Sequence, residues 1–188
     1  LISYYDSVQT TNNDGGYVLN FGGTSAATPI TCGQFGLFFE MWADGIFGNV
    51  LPDPACDPQV ENCVFKNRPH AATAKAIMIN TARPYDFTST GTPRNRELTR
   101  NEQGWGRASA GKLFAHRSIP NLPPNKSRFV LIVDETDLLD DTNDRRNYTI
   151  AVPPGAAAMK VTLAYADPPA IPGGGLCASG AILNELIL

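Results

Sequence analysis

Between Gly23 and Met41 the chain reads GTSAATPITCGQFGLFFEM, small and apolar residues interrupted by a single charged side chain, Glu40. So little polar surface predicts one helix, from about Ser25 to Met41, buried on most of its sides, with Gly45 as its stop. Pro29 agrees with a helix that has only just begun, because a proline deeper inside would cost ~3 kcal/mol. Everything else in the chain has to be arranged around this element.

Residues 1–23 are short and turn-rich: Asn12, Asn13, Asp14, Gly15 and Gly16 supply the turn, and Tyr17 to Phe21 the makings of a brief strand. Positions 48 to 69 form a Pro/Asp/Asn-rich excursion that holds Cys56 and Cys63. A second helix is predicted between Pro69 and Pro84, where Ala74, Ile77, Met78 and Thr81 follow helical spacing. Residues 84–103 return to loop, Gly104-Trp105-Gly106 introduces a third short helix at Ala108 to Ala115, and Pro120, Pro123 and Pro124 mark a linker. Beyond it the period becomes strand-like at Arg128 to Val133, Tyr148 to Val152, Met159 to Tyr165 and Ile182 to Leu188, which predicts a second, β-rich unit.

Charge narrows the function. The chain carries 15 Lys plus Arg against 18 Asp plus Glu in 188 residues, and no segment has the basic excess that nucleic acid requires. No window is apolar for the length of a membrane-spanning helix. The chain starts at Leu1 without a Met or a signal segment and stops inside the apolar run Ile182 to Leu188, so it reads as an excerpt from a longer polypeptide.

The chemistry is concentrated at Gly23-Thr24-Ser25-Ala26-Ala27-Thr28-Pro29, continued by Ile30, Thr31, Cys32 and Gly33. A nucleophilic serine needs an exposed Oγ, a base, and a donor for the developing oxyanion, and a helix start offers unpaired N–H groups and the positive end of the dipole. Gly23 lets a substrate backbone approach closely, and Ala26 and Ala27 keep the first turn small.

This stretch resembles the nucleophile signature of the subtilisin-like serine proteases: Gly-Thr-Ser, any residue, Ala or Ser, any residue, Pro, with Cys32 and Gly33 at its two closing small positions. Further segments are similar to the same family, especially to large secreted members with a β-sandwich after the catalytic domain. Lys75-Ala76-Ile77-Met78-Ile79-Asn80-Thr81-Ala82 resembles the helix that follows the nucleophile helix, and Gln103-Gly104-Trp105-Gly106-Arg107 the turn before the last catalytic-domain helix. Ala164-Tyr165-Ala166-Asp167-Pro168-Pro169 and Leu183-Asn184-Glu185-Leu186 resemble sandwich strands, with Glu185 and Ile187 standing where relatives often have aspartates.

The resemblance implies the C-terminal portion of an α/β subtilisin-like catalytic domain over residues 1–118, followed by the opening strands of an all-β sandwich or jelly roll over 119–188. It implies a secreted serine endopeptidase acting on protein or peptide substrates. Ser25 would be the nucleophile, its own N–H an oxyanion donor, and Gly23 and Thr24 part of the substrate-binding turn. The family's triad runs Asp, His, Ser, so the aspartate, the histidine and the oxyanion asparagine precede the signature. Residues 1–24 contain no histidine. No redox or organic cofactor is implied.

Two rival readings use the same residues. A noncatalytic secreted binding protein would keep the signature on a degenerate scaffold. An α/β-hydrolase order of Ser25, Asp86 and His116 fails at Ala27, which stands where the nucleophile elbow has its second glycine. His70 is read instead at the start of the second helix and His116 near the C-terminus of the third.

The four cysteines lack the paired spacing of a zinc site. A Cys56–Cys63 bridge is expected, Cys32 is predicted to be a buried small residue behind the nucleophile, and Cys177 is left without an assigned partner. The acidic stretch 134–144 has the oxygen ligands that calcium uses but not the EF-hand glycine and spacing, so a calcium loop and a solvated hairpin loop both stay open. Asn125-Lys126-Ser127 and Asn147-Tyr148-Thr149 are glycosylation sequons.

Overall fold

A computed structural model describes residues 1–57, 62–84, 103–117, 131–133, 146–152, 154–156 and 158–166. Its first elements are two strands, β1 (Val8–Thr11) and β2 (Tyr17–Phe21), paired antiparallel with Thr10 opposite Val18 and Thr11 opposite Tyr17. The turn between them closes through Asn12 N–H donating to Gly16 O at 2.8 Å and Gly16 N–H to Asp14 Oδ1 at 3.0 Å. The pairing is irregular between Val8 and Thr10. Strand β2 falls where the sequence predicts it, whereas β1 is an addition. Val8-Gln9-Thr10-Thr11 has one apolar residue, and only its partner's backbone makes it a strand.

Helix α1 (Thr24–Ala43) follows after two glycines. It ends as Gly45 implies, with Gly45 N–H donating to Trp42 O and Ile46 N–H to Met41 O, the bond pattern of a Schellman motif. The excursion after it is held at three points. Cys56 and Cys63 form a disulfide with Cα atoms 5.7 Å apart. Asn67, buried, pairs with the Asp53 backbone in both directions, accepting from its N–H at 2.8 Å and donating to its carbonyl at 2.9 Å. Lys66 lies 3.3 Å from the Asp53 carboxylate. The short helix α2 (Cys63–Lys66) sits inside this clasp.

By chain-entropy arithmetic the loop closed by this disulfide is worth about 2.5 kcal/mol. Cys56→Ser is therefore expected to lower unfolding free energy by about that amount in denaturant titration. Non-reducing digestion and mass spectrometry should recover the two cysteines as one cross-linked peptide; two free thiols in the folded protein would remove the bridge.

Helix α3 (Ala71–Asn80) lies between the two prolines that bound it in sequence, with His70 at its N-cap. Helix α4 (Ala110–Ala115) starts later than the expected Ala108, because Ser109 takes the N-cap and accepts from Lys112 N–H at 3.2 Å. His116 is its C-cap. The core joins Phe38, Trp42 and Phe47 to Ala74, Ile77 and Met78 of α3 and to Ala108 and Leu113. Phe38 is its centre, fully buried, with the rings of Trp42 and Phe47 at centroid distances of 5.9 and 6.0 Å.

That core covers one end of α1 only. The helix was expected to be buried on most sides, yet of its residues only Ala26, Phe38 and Trp42 are buried, and Thr28, Pro29, Cys32, Gly33, Gly36 and Leu37 are exposed. Cys32 is thus a free, exposed thiol rather than a buried residue. The cause is geometric: among the described residues the apolar partners of α1 gather around its C-terminal half.

A second junction ties three distant stretches together. Arg107 N–H donates to Arg83 O at 2.7 Å and Arg83 N–H returns to Arg107 O at 2.9 Å, while Ile2 N–H donates to Gly106 O at 3.0 Å. The guanidinium of Arg107 also hydrogen-bonds the Tyr4 hydroxyl. Residues 131–133, 146–152 and 158–166 form neither helix nor strand among the described residues. The expected strand at Ile182 to Leu188 lies outside them, as do Asp86, the acidic stretch 134–144, Cys177 and the sequon at Asn125. The sequon at Asn147 is exposed.

Candidate active site

The turn that presents Ser25 is built from backbone first. Gly23 has φ 79° and ψ −177°, a combination that essentially only glycine adopts, and it is the N-cap of α1. Its N–H donates to Tyr5 O at 2.6 Å, and its carbonyl accepts from Ala26 N–H at 3.0 Å. The segment before the hairpin therefore fixes the residue at which the chain turns into the helix. A Cβ placed on Gly23 would meet no atom within 4 Å. Glycine is needed here for its dihedral angles rather than for want of space.

Gly23→Ala should consequently destabilise the protein by roughly 1 to 3 kcal/mol through backbone strain, with no steric clash. Denaturant titration measures this. A loss below about 0.5 kcal/mol, the range of ordinary surface substitutions, would show that the turn relaxes freely into another conformation.

Ser25 is the second residue of α1 and is exposed, as are Thr24 and Gly23. It caps nothing: the helix has no side-chain cap, and its first turn contains no acidic residue. The Thr24 and Ser25 N–H groups precede the first intrahelical donors, so they point outward at the positive end of the dipole with no carboxylate in that turn to neutralise it. Pro29 is the sixth helical residue, deeper than the sequence suggested, and with no N–H it cannot return the helical hydrogen bond to Ser25 O. Thr28 turns its hydroxyl back onto Thr24 O at 2.8 Å.

Beside this turn, Val8, Gln9, Thr10 and Phe21 of the hairpin and Ala26, Pro29 and Ile30 of the helix line a groove of about 280 Å³. Its walls are mostly apolar, of a size for one side chain. A second cavity, about 240 Å³, lies between Ile2 to Tyr4, the Ile30–Gln34 part of α1 and residues 107–111; Gln34 braces it by accepting from Ala110 N–H at 2.7 Å.

The signature thus brings Gly23, Thr24 and Ser25 together on one exposed turn, and among the described residues no base hydrogen-bonds Ser25. The chain has two histidines, both described, and neither hydrogen-bonds Ser25: His70 caps α3 and His116 ends α4. Cys56 and Cys63 belong to the clasp after α1 and not to this turn. Among the described residues no three His, Cys, Asp or Glu side chains gather as metal ligands, and no helix is long and apolar enough to cross a membrane. The residue that sequence reading missed is Tyr5, whose contribution is a main-chain carbonyl and so leaves no signal in side-chain pattern.

No protein-family model, curated protein or solved structure matches this chain.

Proposed function

We propose that this chain carries the nucleophile segment of a subtilisin-like, secreted serine endopeptidase that hydrolyses protein or peptide substrates through an acyl-enzyme. The observation that carries the reading is the signature Gly23 to Gly33 with its serine exposed at a helix N-terminus, two residues after a glycine in a glycine-only conformation.

The chemistry follows from the atoms available. Ser25 Oγ attacks the scissile carbonyl carbon while a histidine, oriented by an aspartate, takes its proton; that pair belongs to sequence N-terminal to the signature. As the carbonyl oxygen becomes an oxyanion, the Ser25 N–H, aimed outward by the helix, donates to it. Gly23, with no Cβ, lets the substrate strand lie against the turn. The groove between the hairpin and Ala26, Pro29 and Ile30 gives a neighbouring substrate side chain an apolar wall. The same His then returns the proton to the leaving amine, and water hydrolyses the ester. The Cys56–Cys63 disulfide accords with an oxidising, extracellular destination.

Fluorophosphonate labelling tests the reading directly. In the polypeptide that includes the upstream segments, the probe should form a covalent adduct that peptide mapping places on Ser25, and the 188-residue chain alone should remain unlabelled because no histidine precedes that serine in it. An intact upstream aspartate and histidine together with no adduct on Ser25 would sink the peptidase reading and favour a noncatalytic binding protein.

A further inference from the structure

At the C-terminal end of α3 the Thr81 N–H and hydroxyl both donate to Ile77 O and the Ala82 N–H reaches Ile79 O at 3.3 Å, but the last turn contains no basic residue to meet the negative end of the dipole. A lysine from a distant part of the chain occupies that place. Lys160 Nζ donates to Ile79 O at 3.0 Å and to Asn80 O at 2.7 Å. Asn80 answers in the other direction, its Nδ2 donating to Lys160 O at 2.9 Å and to Thr162 Oγ1 at 3.0 Å. Each partner is both donor and acceptor, so four hydrogen bonds in reciprocal directions join the two stretches. A separate contact acts nearby in the fold, where Ile132 packs against the core that contains Ile77 and Met78 of the same helix.

We infer that Lys160, Asn80 and Thr162 lock residues 158–166 onto the C-terminal end of α3, so that helix end and segment open as one cooperative unit. Residues 158–166 are then a part of the helical unit's own stability, supplying at the C-terminal end of α3 the cation that its last turn does not carry. The consequence extends along the backbone: three residues after Asn80, Arg83 enters its paired hydrogen bonds with Arg107. This inference does not depend on the peptidase reading.

Native-state hydrogen exchange on the complete protein tests it. Lys160→Met should increase the opening of the Thr81, Ala82 and Arg83 amides about tenfold, together with those of residues 160–162, and Lys160→Arg should restore most of the protection. Asn80→Ala combined with Lys160→Met should cost less than the two effects added. Faster exchange confined to 158–166, with Thr81, Ala82 and Arg83 at wild-type rates, would overturn the lock; so would strict additivity of the pair. If Lys160→Met does not fold, Thr162→Val removes one acceptor only and should still loosen the same α3 amides, and unchanged exchange there would likewise overturn it.

Discussion

If the proposed peptidase function holds, Ser25→Ala, made in a polypeptide that carries the whole triad, is expected to lower turnover on the order of 10⁶-fold and to abolish fluorophosphonate labelling, while leaving stability within about 0.5 kcal/mol of wild type. The two halves of that expectation come from different observations. Loss of the attacking oxygen leaves only the catalysis that oxyanion donors and substrate binding supply. Stability survives because Ser25 is exposed and makes no capping hydrogen bond, so the hydroxyl contributes nothing that alanine loses. A serine kept for its N-cap would behave in the opposite way, costing ~1 kcal/mol and leaving chemistry untouched. Steady-state kinetics and a denaturant titration on the same variant separate the two, and wild-type turnover, with contaminating protease excluded, would make Ser25 structural.

The largest effect on folding is expected at Gly106. Its φ is 100°, and a Cβ there would stand 2.3 Å from Arg83 O and 2.6 Å from Arg83 C. Both atoms are backbone, so no side-chain rotation relieves the contact. Gly106→Ala must either break the reciprocal Arg83–Arg107 hydrogen bonds or move the chain end of α3 away from them. Backbone strain and overpacking together predict a loss of roughly 3 to 5 kcal/mol, a large share of the 5 to 15 kcal/mol typical of a whole domain. Urea unfolding gives the magnitude, and loss of amide protection at Arg83 and Arg107 gives the location. A loss below about 1 kcal/mol would mean that the pairing is not maintained in solution.

Gly23 and Gly106 show how the same residue type serves two physical ends. At Gly23 there is room for a methyl group but not the backbone freedom to carry one, and at Gly106 both are missing. From sequence, each was a glycine in a motif. At Gly23 the requirement that the structure shows is for the dihedral angles.

What the sequence determined by itself is what short-range chemistry decides. The stop of α1 at Gly45, the Asn-Asp-Gly turn before β2, the placement of α3 between Pro69 and Pro84, and the Cys56–Cys63 bridge all depend on groups a few residues apart, and pattern suffices for them. Long-range contacts alone make Val8–Thr11 a strand, set Tyr5 O against Gly23, leave Cys32 exposed and bring Lys160 to the last carbonyls of α3. Each of these is a contact or an absence of contact between stretches brought together by folding, through main-chain groups common to every residue or through a cation far along the chain. Composition and periodicity carry no record of which such groups will meet.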